Sequence, residues 1–126
     1  MLNKIQPWFR EGASAPRVVV MTGAGEKAFC AGGDIVSLYK AHVDPSKDQS
    51  IKANFFGLEY LLDYSLSRMK PFQISIWNGI CMGGGVGLTW HSPIRVATDN
   101  SMYAMPETAI GLFCDVGGSY FLSHIH

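Results

Sequence analysis

The chain has 126 residues, of which 48% are hydrophobic and 16% charged, a composition typical of one globular domain, which we assign to residues 1–126. Ten basic and ten acidic side chains cancel, and no basic cluster appears. The sequence therefore argues against nucleic-acid binding through a phosphate footprint.

Three cysteines, Cys30, Cys81 and Cys114, are widely spaced and odd in number. They indicate free thiols in a reducing compartment and not a disulfide framework. No apolar run reaches the length of a membrane span, and residues 1–17 lack the apolar core of a secretory signal. We expect no membrane partner, and the N-terminal residues themselves indicate no location.

The helical spacing of apolar residues predicts four helices, at residues 1–10, 35–43, 51–69 and 86–91. In the longest of them, an apolar stripe predicts the buried face, and Pro71 predicts the end of the helix. The stripe consists of Ile51, Phe55, Leu58, Leu62, Leu66 and Met69.

Strands are predicted at residues 17–22, 72–77, 94–98 and 101–105, the last of them short. The first, RVVVMT, is a continuous apolar run typical of a strand that is buried on both faces. Strands that alternate with helices favour an α/β fold with parallel pairing. The intervening segments TGAGEKAFCAGGD and NGICMGGG are predicted to be loops.

These two segments contain three glycine-rich motifs. The segment TGAGEKA matches a dinucleotide-binding fingerprint, but Gly32 and Gly33 would break the helix that such a site needs, so we interpret the segment as a turn. FCAGGD and NGICMGGGVGL each place glycines where a helix begins, which lets a ligand approach the backbone closely. Two N–H groups converging from these loops would form an oxyanion hole for a thioester or enolate oxygen.

Two carboxylates, Glu107 and Asp115, lie in the otherwise apolar or glycine-rich segment MPETAIGLFCDVGGSYFL. Neither has a basic neighbour in sequence, and burial of an unpaired carboxylate is costly. We interpret Glu107 as a functional acid, with an ordinary loop carboxylate as the alternative. For Asp115 the alternative is the N-cap of a helix formed by VGGSYFL, a role that is compatible with catalysis.

The motifs AFCAGGD, NGICMGGGVGL and MPETAIGLF with DVGG, in this order, resemble those of the enoyl-CoA hydratase/isomerase (crotonase) superfamily. The resemblance implies a spiral of ββα turns, incomplete at both ends, and an acyl-CoA substrate. It also implies an oxyanion hole formed by the backbone N–H groups of Gly33 and Gly84. Coenzyme A is then part of the substrate, and no separate cofactor is expected. A mitochondrial location is implied by the resemblance alone.

Within the superfamily, the acids favour thioester hydrolysis. Hydratases carry a catalytic glutamate two residues after the triple glycine, where this chain has Gly87, and their second glutamate falls on Glu107. The pattern of the hydrolases that act on a short branched 3-hydroxyacyl-CoA in valine breakdown adds Asp115 and Glu59.

The resemblance also implies the roles of these acids. Glu107 would act as base toward water or as nucleophile, and Asp115 would orient the water or the substrate hydroxyl. Glu59, at the edge of the apolar stripe, would contact the substrate and is otherwise a solvated helix glutamate.

Two other functions stay open. Isomerisation of an enoyl-CoA needs only Glu107 and the oxyanion hole. A truncated product that folds poorly, or that binds acyl-CoA or a sister chain without turnover, needs no catalytic group. The layers that the resemblance implies to be missing would leave apolar faces such as strand 17–22 uncovered, which predicts marginal stability or homo-oligomers.

The sequence does not support a functional role for the three remaining histidine candidates or for Cys114. His124 and His126 lack a third ligand, so no metal site is expected. His91 is interpreted as a partly buried helix residue. Cys114, at a position where the hydrolase pattern has proline, is interpreted as a packing residue because a cysteine nucleophile would need a nearby base.

Overall fold

Residues 16–124 are described by the structure, which is a computed structural model. The helix predicted at residues 1–10 lies outside this range. The described helices are α1 Ile35–Val43, α2 Ser50–Ser67, α3 Gly84–Trp90, α4 Gly118–Leu122 and a short 3-10 helix at Glu107–Ile110. The strands are β1 Val18–Thr22, β2 Ala28–Cys30, β3 Phe72–Trp77, β4 Ile80–Met82, β5 Ile94–Ala97 and β6 Met102–Ala104. No helix in this part of the chain combines the length and the apolarity that a membrane crossing requires.

The strands form two three-stranded parallel sheets with the orders β1-β3-β5 and β2-β4-β6. Consecutive strands alternate between the sheets, so each turn of the chain adds one strand to each sheet. In the first sheet Val20 pairs with Ile74, which in turn pairs with Ile94. This spiral of strand pairs and helices confirms the predicted α/β fold and its parallel pairing.

The second sheet determines where the predicted site residues lie. Its strands β2, β4 and β6 run parallel, so their carboxyl ends share one edge of the sheet. Gly33 follows β2, Gly84 follows β4, and Glu107 follows β6. Residues that are far apart in sequence therefore come together at this edge.

Most of the predicted elements are present, but two short strands and the 3-10 helix were not predicted. The predicted residues 35–43 and 72–77 coincide with α1 and β3. Strands β2 and β4 fall inside segments that we predicted to be loops, because strands of three residues are too short to show alternation. Helix α3 begins at Gly84, two residues before the predicted start.

The buried face of α2 differs from the predicted apolar stripe. Leu58 is 56% exposed, although Leu66 is buried as predicted. Asp63 is buried and Glu59 is half-buried, so two acids lie on the inward face. The packing of α3 accounts for this difference, because its glycines leave room for these carboxyl groups against the backbone.

Two apolar clusters hold the helices on the sheets. In the first, Val19 of β1 packs against Leu66 and Met69 at the end of α2. The second joins β3, β4, α3 and α4, and consists of Trp77, Cys81, Val86 and Phe121. Together the clusters fix α2 and α3 on the sheets and so position the acids of α2.

The outer face of the first sheet is not covered by any described residue. Val20 is 55% exposed, and Val18, Phe72, Ile94 and Val96 are also exposed. The interpretation of strand 17–22 as buried on both faces is therefore wrong for β1, because only Val19 and Met21 face a packed helix. The outer face matches the uncovered apolar surface that we expected.

Candidate active site

A cavity of about 280 Å³ opens at the carboxyl ends of β2, β4 and β6. Its lining includes every residue that we proposed for the site, namely Gly33, Glu59, Gly84, Glu107 and Asp115. Most of the other lining residues are apolar, among them Leu38, Phe55 and Ile110. The fold thus brings two glycine loops and three carboxyl groups into one largely apolar cleft.

The two glycine loops meet inside this cavity. A Cβ atom built on Gly84 would lie 4.0 Å from the backbone nitrogen of Gly33. The N–H group of Gly33 donates to no other residue in the described range. Gly84 opens α3, and N–H groups in the first turn of a helix lack a partner within the helix. Both groups can therefore donate to an oxygen bound in the cavity.

Glycine is needed in these loops because larger groups lie directly against the backbone. A Cβ atom on Gly33 would overlap the ring of Phe55, and one on Gly84 would overlap the carboxyl group of Glu59. At Gly83 the φ angle is +51°, which residues with side chains rarely adopt, and a Cβ atom there would lie 2.7 Å from Glu107 Oε1. The absent side chains are thus what allows the carboxylates to approach the loops.

Glu107 begins the 3-10 helix and is only 8% exposed. Its Oε2 atom accepts no hydrogen bond from any residue of the range 16–124. Burial of such an oxygen is costly unless another group pairs with it. Glu107 therefore has the position and the free oxygen that a base or a nucleophile in this cavity requires.

Asp115 does not cap α4, so the N-cap interpretation is wrong. The N-cap of α4 is Gly117, and no side chain caps the helix. The carboxylate of Asp115 instead accepts a hydrogen bond of 2.7 Å from the hydroxyl of Tyr60 on α2. This bond directs Asp115 toward α2 and the cavity.

The backbone beside Asp115 is strained. Val116 has a φ angle of 44°, and among residues 16–124 it is the one non-glycine residue with a positive φ. A β-branched side chain disfavours this conformation, which persists only where the surrounding packing enforces it. The buried side chain of Val116 supplies that packing, so the turn holds Asp115 in one orientation.

The acids and Tyr60 influence one another electrostatically. Burial raises the pKa of Glu59, and the charges of Asp115 and Glu107 raise it further. Burial, followed by the hydrogen bond to Asp115, raises the pKa of Tyr60 to about 12. Tyr60 therefore stays a protonated donor at neutral pH, and Glu59 holds its proton more tightly than an isolated glutamate.

Asp63 belongs to the same acidic group, although the apolar pattern of α2 did not predict it. It lies one helical turn after Glu59 and is 7% exposed, and neither of its carboxyl oxygens has a partner within the described part of the chain. Burial, followed by the charges of Glu59 and Asp115, raises its pKa to about 7. The spacing of four residues from Glu59 is the sequence signal that could have identified it.

The environment of Cys114 does not favour a nucleophilic role for its thiol. Burial and the charge of Glu107 raise the pKa of Cys114, which keeps its thiol protonated. The thiol contacts the carbonyl oxygen of Met105 at 3.6 Å. This agrees with the interpretation of Cys114 as a packing residue.

The described histidines and the first glycine loop do not line this cavity. His91, at the C-cap of α3, is exposed and not partly buried as we expected. His124 is also exposed, and His126 falls outside the described range. Between residues 16 and 124, no three His, Cys, Asp or Glu side chains are arranged to hold a metal ion. TGAGEKA is followed by strand β2 and not by the helix that a dinucleotide site needs.

A family model described as enoyl-CoA hydratase/isomerase matches residues 1–126. A protein of Dictyostelium discoideum named mitochondrial 3-hydroxyisobutyryl-CoA hydrolase is 52% identical over 113 residues, which cover 86% of this chain and 29% of that protein. The small ribosomal subunit protein mS47 of Neurospora crassa is 44% identical over 97% of this chain and 24% of that protein.

Among solved structures, a carnitinyl-CoA dehydratase from Mycobacterium thermoresistibile superposes with a TM-score of 0.86 at 41% identity. The match covers 98% of this chain and 35% of that one. The chain therefore spans between about a quarter and about a third of the length of these relatives.

Proposed function

The chain belongs to the enoyl-CoA hydratase/isomerase family, and we propose that it carries the active site of a thioester hydrolase that acts on 3-hydroxyisobutyryl-CoA. The products would be 3-hydroxyisobutyrate and coenzyme A, in a step of valine breakdown. Coenzyme A enters as part of the substrate, so the reaction requires no other cofactor. The naming of the Dictyostelium relative as mitochondrial supports the same location for this protein.

The observation that carries the proposal is the set of acids in the cleft. Glu107 and Asp115 line the same cavity as the glycine loops, whereas position 87 on α3 has no side chain. Water addition of the hydratase type would need a second catalytic acid at that position. The acids that are present suit the activation of one water molecule or a direct attack on the carbonyl carbon.

In the proposed reaction the thioester oxygen accepts hydrogen bonds from the N–H groups of Gly33 and Gly84, which stabilise its negative charge as the carbon becomes tetrahedral. Glu107 takes a proton from water, and the water oxygen bonds to the carbonyl carbon. In the alternative route Glu107 itself bonds to that carbon, and water later hydrolyses the anhydride. In both routes the C–S bond breaks and the departing thiolate takes up a proton.

The other acids have supporting roles in this proposal. Asp115, held by the hydroxyl of Tyr60 at 2.7 Å, would orient the water or the substrate hydroxyl. Glu59 lies against Gly84, next to the proposed oxyanion donors. Its raised pKa favours the protonated form, which can donate a hydrogen bond to the substrate.

A role without turnover is the second candidate function, because the Neurospora relative is named as a ribosomal protein and not as an enzyme. The balance of ten basic and ten acidic residues does not favour contact with RNA phosphates. Binding of acyl-CoA, or association with another protein chain, would then be the role of the cleft and of the uncovered sheet face. Isomerisation of an enoyl-CoA would use Glu107 and would give Asp115 no role in the reaction.

Release of free thiol from 3-hydroxyisobutyryl-CoA tests the hydrolase. Glu107→Gln keeps the shape of the side chain but removes the base or nucleophile, so we expect thiol release to fall by about 100-fold or more. Glu26→Gln, on an exposed loop residue, is the matched control and should keep wild-type activity. Equal release by the wild type and Glu107→Gln would refute the catalytic assignment.

Two further measurements separate the alternatives. Loss of enoyl absorbance without thiol release would indicate isomerisation. A cooperative melt together with calorimetric binding of an acyl-CoA, but with neither reaction, would indicate a binding role without turnover.

A further inference from the structure

We propose that a second cavity, next to Asp115, is a subsite for a neutral hydroxyl donor, and that Asp63 accepts the hydrogen bond from it. The inference rests on the proposed function and refines it, since it assigns a residue that selects hydroxylated acyl groups. The donor is either the 3-hydroxyl of the substrate or the hydrolytic water.

The second cavity has a volume of about 400 Å³ and includes Asp115 in its lining. Asp115 is the one residue that lines both cavities. Tyr60 and Asp63 of α2 form part of its wall, together with Val116 and Gly117 of the turn that carries Asp115. The two cavities therefore meet at Asp115.

Asp63 is built into the site and is not a surface acid. Its side chain is 7% exposed, and both of its oxygens are buried with no hydrogen-bond partner in the described range. A Cβ atom on Gly87 would lie 2.5 Å from Val116 Cβ and 2.9 Å from Asp63 Oδ2, so glycine at that position leaves room for both side chains. A buried carboxyl group without a protein partner points to a group that binds there.

Two acid–glycine pairs connect this subsite with the oxyanion donors. Glu59 lies against Gly84, and one helical turn further along both helices Asp63 lies against Gly87. Three residues of an α-helix advance by about 4.5 Å. A three-carbon acyl chain can span this distance, with its carbonyl oxygen at Gly84 and its terminal hydroxyl near Asp63.

The charges around Asp63 define the kind of ligand. The nearest charged groups are Glu59 and Asp115, which repel anions. Tyr60 already donates to Asp115, and His91 is the one basic residue among those described as lining the cavity. Burial and the neighbouring acids raise the pKa of Asp63 to about 7, and both of its protonation states keep an acceptor oxygen. A neutral hydroxyl donor fits this environment.

Binding calorimetry in a Glu107→Gln background tests the subsite, with 3-hydroxyisobutyryl-CoA and isobutyryl-CoA as ligands. With Asp63 intact, we expect the hydroxylated thioester to bind about three- to tenfold more tightly. Asp63→Leu should abolish this preference. Asp63→Asn, which keeps an acceptor oxygen, should retain part of it and serves if the leucine variant fails to fold. Asp99→Leu, on an exposed loop residue, is the control and should keep the preference.

Thiol release by proteins that keep Glu107 distinguishes the two possible donors. If Asp63→Leu loses its preference for the hydroxylated thioester, the donor is the 3-hydroxyl of the substrate. If Asp63→Leu loses thiol release equally with both thioesters, the donor is the hydrolytic water. If a folded Asp63→Leu variant matches the wild type in preference and in turnover, the subsite does not exist. Preferential binding of the hydroxylated thioester without any thiol release would reject the hydrolase and leave the subsite standing, whereas a folded protein that binds neither thioester would reject both.

Discussion

Replacement of Asp63 by asparagine should change the way in which the stability of the fold depends on pH. The carboxyl group of Asp63 is buried, and the charges closest to it are those of Glu59 and Asp115. Ionisation at this position therefore adds a negative charge to a group that is already acidic. Asparagine has nearly the same shape and stays neutral at every pH, so it removes this cost.

The sign and size of the effect follow from the linkage between proton binding and folding. The pKa of Asp63 rises from the ordinary value of 3.8 to about 7 in the folded chain, so the folded state binds this proton more tightly than the unfolded chain does. The resulting stabilisation is complete below the unfolded pKa and is lost as the pH rises through the folded pKa. The full shift corresponds to about 4 kcal/mol, of which about 2 kcal/mol falls between about pH 5.5 and 8. Solvent that enters the second cavity will reduce both values.

Urea unfolding at these two pH values measures the difference directly. The wild type should lose about 2 kcal/mol more of its free energy of unfolding between them than Asp63→Asn does. The two proteins differ only at residue 63, so the difference between them reports the charge at this position. Asp99→Asn, an exposed position, should follow the wild type. If wild type and Asp63→Asn show parallel pH dependences, Asp63 is not held among these acids in solution and the reasoning fails.

Two further substitutions address the thioester cleft. Tyr60→Phe removes the hydrogen bond of 2.7 Å to Asp115, which is worth about 1 kcal/mol, and should lower thiol release by about fivefold. A loss no larger than that of Tyr39→Phe would show that this bond does not position Asp115. Gly83→Ala introduces a Cβ atom 2.7 Å from Glu107 Oε1 at a φ angle of +51°. It should cost about 1–3 kcal/mol of stability and abolish thiol release. Its control is Gly25→Ala, at a φ angle of +80° with no atom within 4 Å of the added Cβ, which should lose stability but keep thiol release. Similar turnover in the two variants would contradict the proposed contact with Glu107.

Strong local signals account for the elements that the sequence predicted well. Helix α1 matches its predicted bounds because Asp34 caps it through the backbone N–H of Ser37 at 3.1 Å and its apolar spacing ends at Val43. Strand β3 lies between Pro71 and a glycine turn, which mark both of its ends. Strands β2 and β4 carry no such signal, since each exists only through its pairing with a neighbour in the second sheet.

The site was predictable to the extent that its residues belong to spaced motifs. Gly33, Gly84 and Glu107 follow the ends of strands, and the parallel sheet brings such ends together. Asp63 was missed because its burial depends on the absence of a side chain on another helix, at Gly87. The partner of Asp115 was missed for a similar reason, since Tyr60 lies 55 residues earlier in the chain.

The two acid–glycine pairs between α2 and α3 also constrain how such a site can evolve. In each pair the glycine leaves room for an acid of α2, Glu59 at Gly84 and Asp63 at Gly87. A larger residue at position 87 would collide with the side chain of Val116 as well as with Asp63, so both of these neighbours would have to shrink in the same lineage. Positions 63, 87 and 116 should therefore show epistasis, with replacement of Gly87 alone deleterious. Transfer of an acid from α2 to α3 requires coordinated mutations at these positions, so single-step changes along a gene lineage should rarely convert one acid placement into the other.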